Sequence, residues 1–203
     1  HILYRRIIRM KFLHVTRTLR AASVFLAAGI ILAGGAHADE TIEKFFGNYV
    51  GLGNATIAEG DRREVRDLDV TVERFKNEGF TLKWITVIRD ENGGRTGADV
   101  KRREVEENFI PVEDKENVFV LSPKGGLFQK SELPNPLRGE AVRWASIEDN
   151  AMVVYSMAIS ASGGAELQVY RRSLTDKGMA ISFMRLQDED VKVRMSGDLV
   201  RTK

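Results

Sequence analysis

The chain has 203 residues, a formal net charge of +2 and no cysteine, and its three histidines, His1, His14 and His37, all lie within the first 38 residues. Six of the 31 basic residues and none of the 29 acidic ones lie there too, so residues 39–203 hold 25 basic against 29 acidic groups, a net charge of −4. A segment of that kind, without imidazole or thiol, excludes haem ligation, the usual zinc sites, disulfides and most nucleophile–base pairs. It carries no basic stripe, so nucleic acid and anionic membrane surfaces are poor partners.

Arg17 and Arg20 precede an apolar run, Ala21 to Gly35, followed by Ala36-His37-Ala38. A charged stretch, a short apolar stretch and an A-x-A site make an export signal, with cleavage expected after Ala38. The run is 15 residues long, short of the roughly 20 that a spanning helix needs. Residues 1–38 are therefore expected to be leader and cleavable signal. Residues 39–203 are expected to form one domain in the periplasm, with no stable membrane anchor.

Thr41 to Phe46 is expected to form a short helix with Ile42, Phe45 and Phe46 on one face. From Gly47 onward the apolar pattern has a period of two. Strands are expected at Gly47–Ile57, Arg66–Lys76, Phe80–Arg89, Val100–Ile110, Val118–Leu121, Ala141–Glu148, Ala151–Ser160, Ala165–Leu174, Met179–Gln187 and Val191–Arg201. In the second, Leu68, Val70 and Val72 face one way and Asp69, Thr71 and Glu73 the other. The fourth is highly charged, as an exposed or edge strand would be. A long loop, Ser122 to Gly139, carries Leu127, Phe128, Leu133 and Leu137 among Gly and Pro. It reads either as a lid over an open barrel end or as a packed connection.

Short, even connections favour an antiparallel meander, and no helical stretch is long enough for parallel crossovers. A meander of about ten strands leaves two costly edges unless it closes. The expected fold is all-β: an up-and-down barrel with a short N-terminal helix, with a β-sandwich as the alternative.

Phe46-Gly47-Asn48-Tyr49-Val50-Gly51 resembles the first strand of lipocalins and related calycin barrels, which open with a short helix and a Gly-x-Trp. Tyr49 stands in the place of that Trp. The resemblance implies a barrel floor closed by Tyr49, with an Arg of the last strand, Arg194 or Arg201, packed over it. The fatty-acid-binding branch has a helix pair after strand one; here only Ala58 to Glu64 lies between, which leaves the branch open. The whole segment also resembles a set of small exported proteins of alphaproteobacteria. The resemblance rests on Phe45–Gly51, Arg66-Asp67-Leu68-Asp69, Val142-Arg143-Trp144-Ala145 and Leu167-Gln168-Val169-Tyr170. It implies location and fold but no chemistry.

Gly47, Gly51 and Gly53 share a strand face with Tyr49, which leaves room for a ligand or relieves a sharp barrel bend. Arg143, Arg171 and Arg185 each alternate with apolar residues. Any of them facing inward could grip a carboxylate with paired hydrogen bonds, or else snorkel or pair at strand ends. Trp84, Trp144, Tyr155, Tyr170, Phe80 and Phe183 read as core aromatics, any of which could line a lumen. Strand 80–89 is apolar on both faces, as a homodimer surface or a face covered by the N-terminal helix or the long loop would be.

The expected function is a periplasmic lipocalin-like barrel that binds a small apolar or amphipathic molecule. Its candidate ligand-binding residues are Tyr49, Trp84, Arg143, Tyr155, Arg171, Arg185 and Phe128. No cofactor, metal or catalytic residue is expected. The alternative is a non-enzymatic envelope protein with a solid barrel that works through its surface.

Overall fold

The computed structural model describes residues 42–90, 92–98, 100–123 and 134–202. The expected signal, residues 1–38, and Phe128 lie outside the described residues. Of the expected N-terminal helix, Ile42–Phe46 is described. It forms a single turn, in which Phe45 N–H donates to Ile42 O and Phe46 N–H to Glu43 O, both at 3.0 Å.

Ten strands follow: β1 (Gly47–Ile57), β2 (Arg62–Phe75), β3 (Gly79–Ile88), β4 (Lys101–Pro111), β5 (Val118–Leu121), β6 (Val142–Glu148), β7 (Ala151–Ile159), β8 (Ala165–Thr175), β9 (Gly178–Gln187) and β10 (Asp190–Arg201). Each pairs antiparallel with its sequence neighbours, and β10 returns to β1, so the sheet is a closed barrel. Closure runs from Tyr49 opposite Arg201 to Ile57 opposite Val193. This removes the two long edges a meander would otherwise expose, and it excludes the sandwich. The tight turns use residues that tolerate positive φ: Asp149, between β6 and β7, has φ 49°.

Closure needs close contact between β1 and β10. A Cβ on Gly51 would stand 2.1 Å from Asp198 O and 2.9 Å from Leu199 Cα. Gly51 thus makes room for the neighbouring backbone. A Cβ on Gly53 would meet Leu68 and Met195 side chains. Gly51 and Gly53 serve packing, and no ligand space opens beside Gly51.

Inward positions alternate along every strand. The lower half of the barrel is solid. Tyr49, Phe80, Leu82, Phe109, Phe119, Met152, Met179 and Leu199 are each at most 2 % exposed, with Ile42 and Phe45 packed beneath. Phe80 stacks on Phe109 at 5.0 Å and meets Phe119 edge-on at 5.2 Å. Each such side chain contributes about 1.5–3 kcal/mol by leaving water.

Two details bear on the site. Tyr49 hydroxyl donates to Phe45 O at 2.9 Å. Arg201 lies over the Tyr49 ring, 5.6 Å from its centroid, and donates to Phe46 O. Arg201 occupies the place implied for the closing arginine; Arg194 is exposed, beside Thr56 on the outer face. Second, β4 pairs with β3 along Phe80–Ile88 but with β5 only at Phe109–Pro111. Its first half is therefore an edge on the β5 side among the described residues, protected by charges at Lys101, Arg102, Arg103, Glu104 and Glu106.

The outer residues of β3, Ile85 and Val87, are partly exposed and share a shallow surface with Leu52, Arg95 and Arg102. In the long loop, Leu137 is 79 % exposed on a tight turn capped by Asn135. Among the described residues no helix is long and apolar enough to cross a membrane.

Candidate functional site in the upper lumen

Above the packed half, the barrel is hollow. The cavity measures about 270 Å³. One wall is apolar, formed by Leu68, Val70, Ile181, Val193 and Met195. Another is aromatic: Trp84 sits 6.0 Å from Tyr170, and Tyr170 sits 4.6 Å from Phe183. These side chains meet because Val70 pairs with Trp84 across β2–β3, and Tyr170 with Phe183 across β8–β9.

The remaining wall is cationic. Arg66, Lys101, Arg103, Arg171, Arg172 and Arg185 line the cavity, and no carboxylate among the described residues does. Arg66 is satisfied by Glu64, with contacts of 2.7 and 3.1 Å. Lys101, Arg103, Arg172 and Arg185 have no carboxylate partner among the described residues.

Arg172 is the deepest of these, 4 % exposed. Its guanidinium lies 5.6 Å from the Trp84 centroid and 5.7 Å from that of Tyr170. Its Nε and Nη1 are buried and find no hydrogen-bond acceptor among the described residues. Burial pushes its pKa down to about 10; Tyr170 and Glu107 oppose the shift and Arg143 adds to it. Buried polar atoms are normally paired, since an unpaired one forfeits its hydration. Arg185 Nε is in the same condition.

Arg143 also lies over Trp84 and Tyr170, 5.7 Å from each centroid. Its role differs. Its Nε stands 2.9 Å from Glu107 Oε1, both side chains being nearly buried. The pair joins β4 to β6 past the end of the short β5, where no backbone ladder connects them. Tyr170 hydroxyl donates to Gln168 Oε1 at 2.6 Å. Burial raises the Tyr170 pKa, against the opposing pull of Arg143, Arg103 and Arg172, so the phenol is neutral at pH 7.

Of the residues singled out from the sequence, Trp84, Arg171 and Arg185 line the cavity and Arg143 touches its aromatic wall. Tyr49 belongs to the floor. Tyr155 faces outward, against expectation; Arg171 borders the cavity, but its charged head reaches outward. Register decides this: Tyr155 pairs with Trp144 and Val169, and the two rings stack at 5.1 Å outside the barrel. Arg171 pairs with Val153 and Ser182 and reaches exposed Glu148 at 3.2 Å. Sequence reasoning missed Arg172, Arg66, Arg103 and Lys101. Arg172 was within reach: it follows Tyr170 by two residues, so any face that takes Tyr170 inward takes Arg172 with it.

Among the described residues, no three His, Cys, Asp or Glu side chains gather as a metal site would require. No family model matches the chain, and no curated protein does. Among solved structures, the chain is similar to an S-type phycobiliprotein lyase from Guillardia theta. The TM-score is 0.38 and the identity 12 %, over 81 % of this chain and 92 % of the other. At that level the likeness carries nothing from one site to the other.

Proposed function

We propose that this is an exported binding protein, not an enzyme, which holds a small amphipathic molecule in the upper lumen of its barrel. The observation that carries the reading is the cavity of about 270 Å³ with three distinct walls, apolar, aromatic and cationic. Pockets for small molecules have this composition, mostly apolar with a few convergent polar groups. An apolar body lies against Leu68, Val70 and Ile181, and its polar end faces the guanidinium groups. The closed, hydrogen-bonded sheet provides stiff walls, and among the described residues the cavity is lined by no His, Cys, Asp or Glu. The export part of the reading rests on the Ala21–Gly35 run and the Ala36-His37-Ala38 site.

Titration of residues 39–203 with the neutral fluorophore N-phenylnaphthylamine tests the binding reading. A Trp144→Phe background leaves Trp84 as the one tryptophan. Saturable fluorophore enhancement with matching Trp84 quenching is expected; a titration with no saturation in either signal overturns it. Expression of the full chain in a bacterial host tests export. The expected product is a periplasmic protein whose N-terminus is Asp39, and an unprocessed cytoplasmic product refutes it.

A further inference from the structure

The walls of the cavity specify the class of molecule more closely than "amphipathic" does. We infer that the upper lumen selects a compact aromatic acid, one or two rings bearing a carboxylate or sulfonate. The acid group seats on Arg172, and the ring lies against Trp84, Tyr170 and Phe183. This deepens the proposed function and rests on it.

Three features lead there. The first is charge. Arg172 is 4 % exposed, and its Nε and Nη1 have no acceptor among the described residues. Arg185 Nε is likewise unpaired, and the cavity wall brings in no carboxylate from the described residues. Glu107, the acid whose charge is felt at Arg172, stands 2.9 Å from Arg143. An anion answers both the unpaired Arg172 donors and their charge, and a guanidinium matches planar oxyanions with two parallel hydrogen bonds.

The second is shape. At about 270 Å³ the space falls just under the range of about 300–1,000 Å³ that holds drug-sized ligands. A long alkyl chain extended from Arg172 meets the packed half of the barrel, where Phe80, Leu82 and Met179 are fully buried. The third is the wall itself. Trp84, Tyr170 and Phe183 form a continuous run of ring contacts beside Arg172. A flat ring finds edge and offset contacts there, and it stacks on a guanidinium plane as well.

The test compares naphthoate, its neutral counterpart naphthylmethanol, and palmitate by isothermal titration calorimetry, on the unaltered protein and on Arg172→Met. On the unaltered protein, naphthoate is expected to bind at least tenfold tighter than either of the others. In Arg172→Met, the naphthoate affinity is expected to fall at least tenfold, with naphthylmethanol changed by less than about twofold. Equal affinity for naphthoate and naphthylmethanol in the unaltered protein overturns the acid selection and leaves lumenal binding standing. Tighter binding of palmitate overturns the compact ring class. Absence of heat from all three, together with no saturable N-phenylnaphthylamine signal, removes the lumenal reading itself. The comparison of ligands on the unaltered protein decides the matter even if the variant fails to fold.

Discussion

Arg172→Met is expected to stabilise the ligand-free protein. In the folded barrel the guanidinium is 4 % exposed with two unpaired nitrogens, and burial pulls its pKa well below the usual arginine range, to about 10. For a base whose folded value is depressed, the charged form is disfavoured by folding. The cost is fully present below about pH 10 and fades as pH rises towards the ordinary arginine range. At about 1.4 kcal/mol per pH unit, the cost near pH 7 is about 3 kcal/mol. Contacts with the Trp84 and Tyr170 rings return about 1 kcal/mol of cation–π attraction, which the variant loses. Methionine keeps most of the volume and suits an aromatic neighbourhood. The net expectation is a gain of about 2 kcal/mol, or a Tm higher by about 4–8 °C for a domain of this size. Urea unfolding at pH 7, followed by tryptophan fluorescence, measures it. A variant less stable than the parent by 1 kcal/mol or more would refute the reasoning, because Arg172 would then be a structural anchor. A group that lowers stability and lines a cavity is what a binding function retains.

Arg143→Met is expected to do the opposite. It takes the charge partner seen at 2.9 Å away from the nearly buried Glu107 and removes the tie between β4 and β6, at a cost of about 3 kcal/mol in the same assay. Gly51→Ala forces a Cβ to within 2.1 Å of Asp198 O and should loosen the closing seam, destabilising by more than about 2 kcal/mol, with faster amide exchange in β1 and β10. Asp67 is held well below the usual carboxylate range by hydrogen bonds from Arg89 and Arg95. A depressed carboxyl stabilises the fold above its unfolded value, near pH 4, and that contribution fades as pH falls further. Solvent screening limits it to about 1 kcal/mol. Asp67→Asn should therefore differ from the parent by that amount at pH 7, with the difference shrinking progressively as pH falls below about 4; a difference constant with pH would contradict the assignment.

The ten strands were legible because period-two alternation survives burial on one face. Leu68, Val70 and Val72 are inward, as their spacing indicates, and closure follows from the cost of free edges. Floor geometry was legible through Tyr49 and its partner Arg201. The site was only partly legible. On β8 both faces mix apolar and polar residues: Leu167, Val169 and Arg171 alternate as cleanly as Gln168, Tyr170 and Arg172. Nothing local says which row faces in; pairing with Val154 on one side and Phe183 on the other does. On β7, Met152, Val153, Val154 and Tyr155 are apolar on both faces, so Tyr155 could not be phased until Trp144 was placed beside it. The Glu107–Arg143 pair spans 36 sequence positions across a gap left by the shortness of β5, and no sequence pattern marks such a contact.

The most direct test is where a ligand sits. Intermolecular NOEs can be measured between the ring protons of naphthoate and isotope-labelled methyl groups of the protein. Contacts with Leu68, Val70 and Ile181, the inward methyls of the upper lumen, are expected. Contacts confined to the outward methyls of Val50, Leu52 and Val200, which are 40–57 % exposed, would place the molecule on the surface and contradict binding inside the barrel.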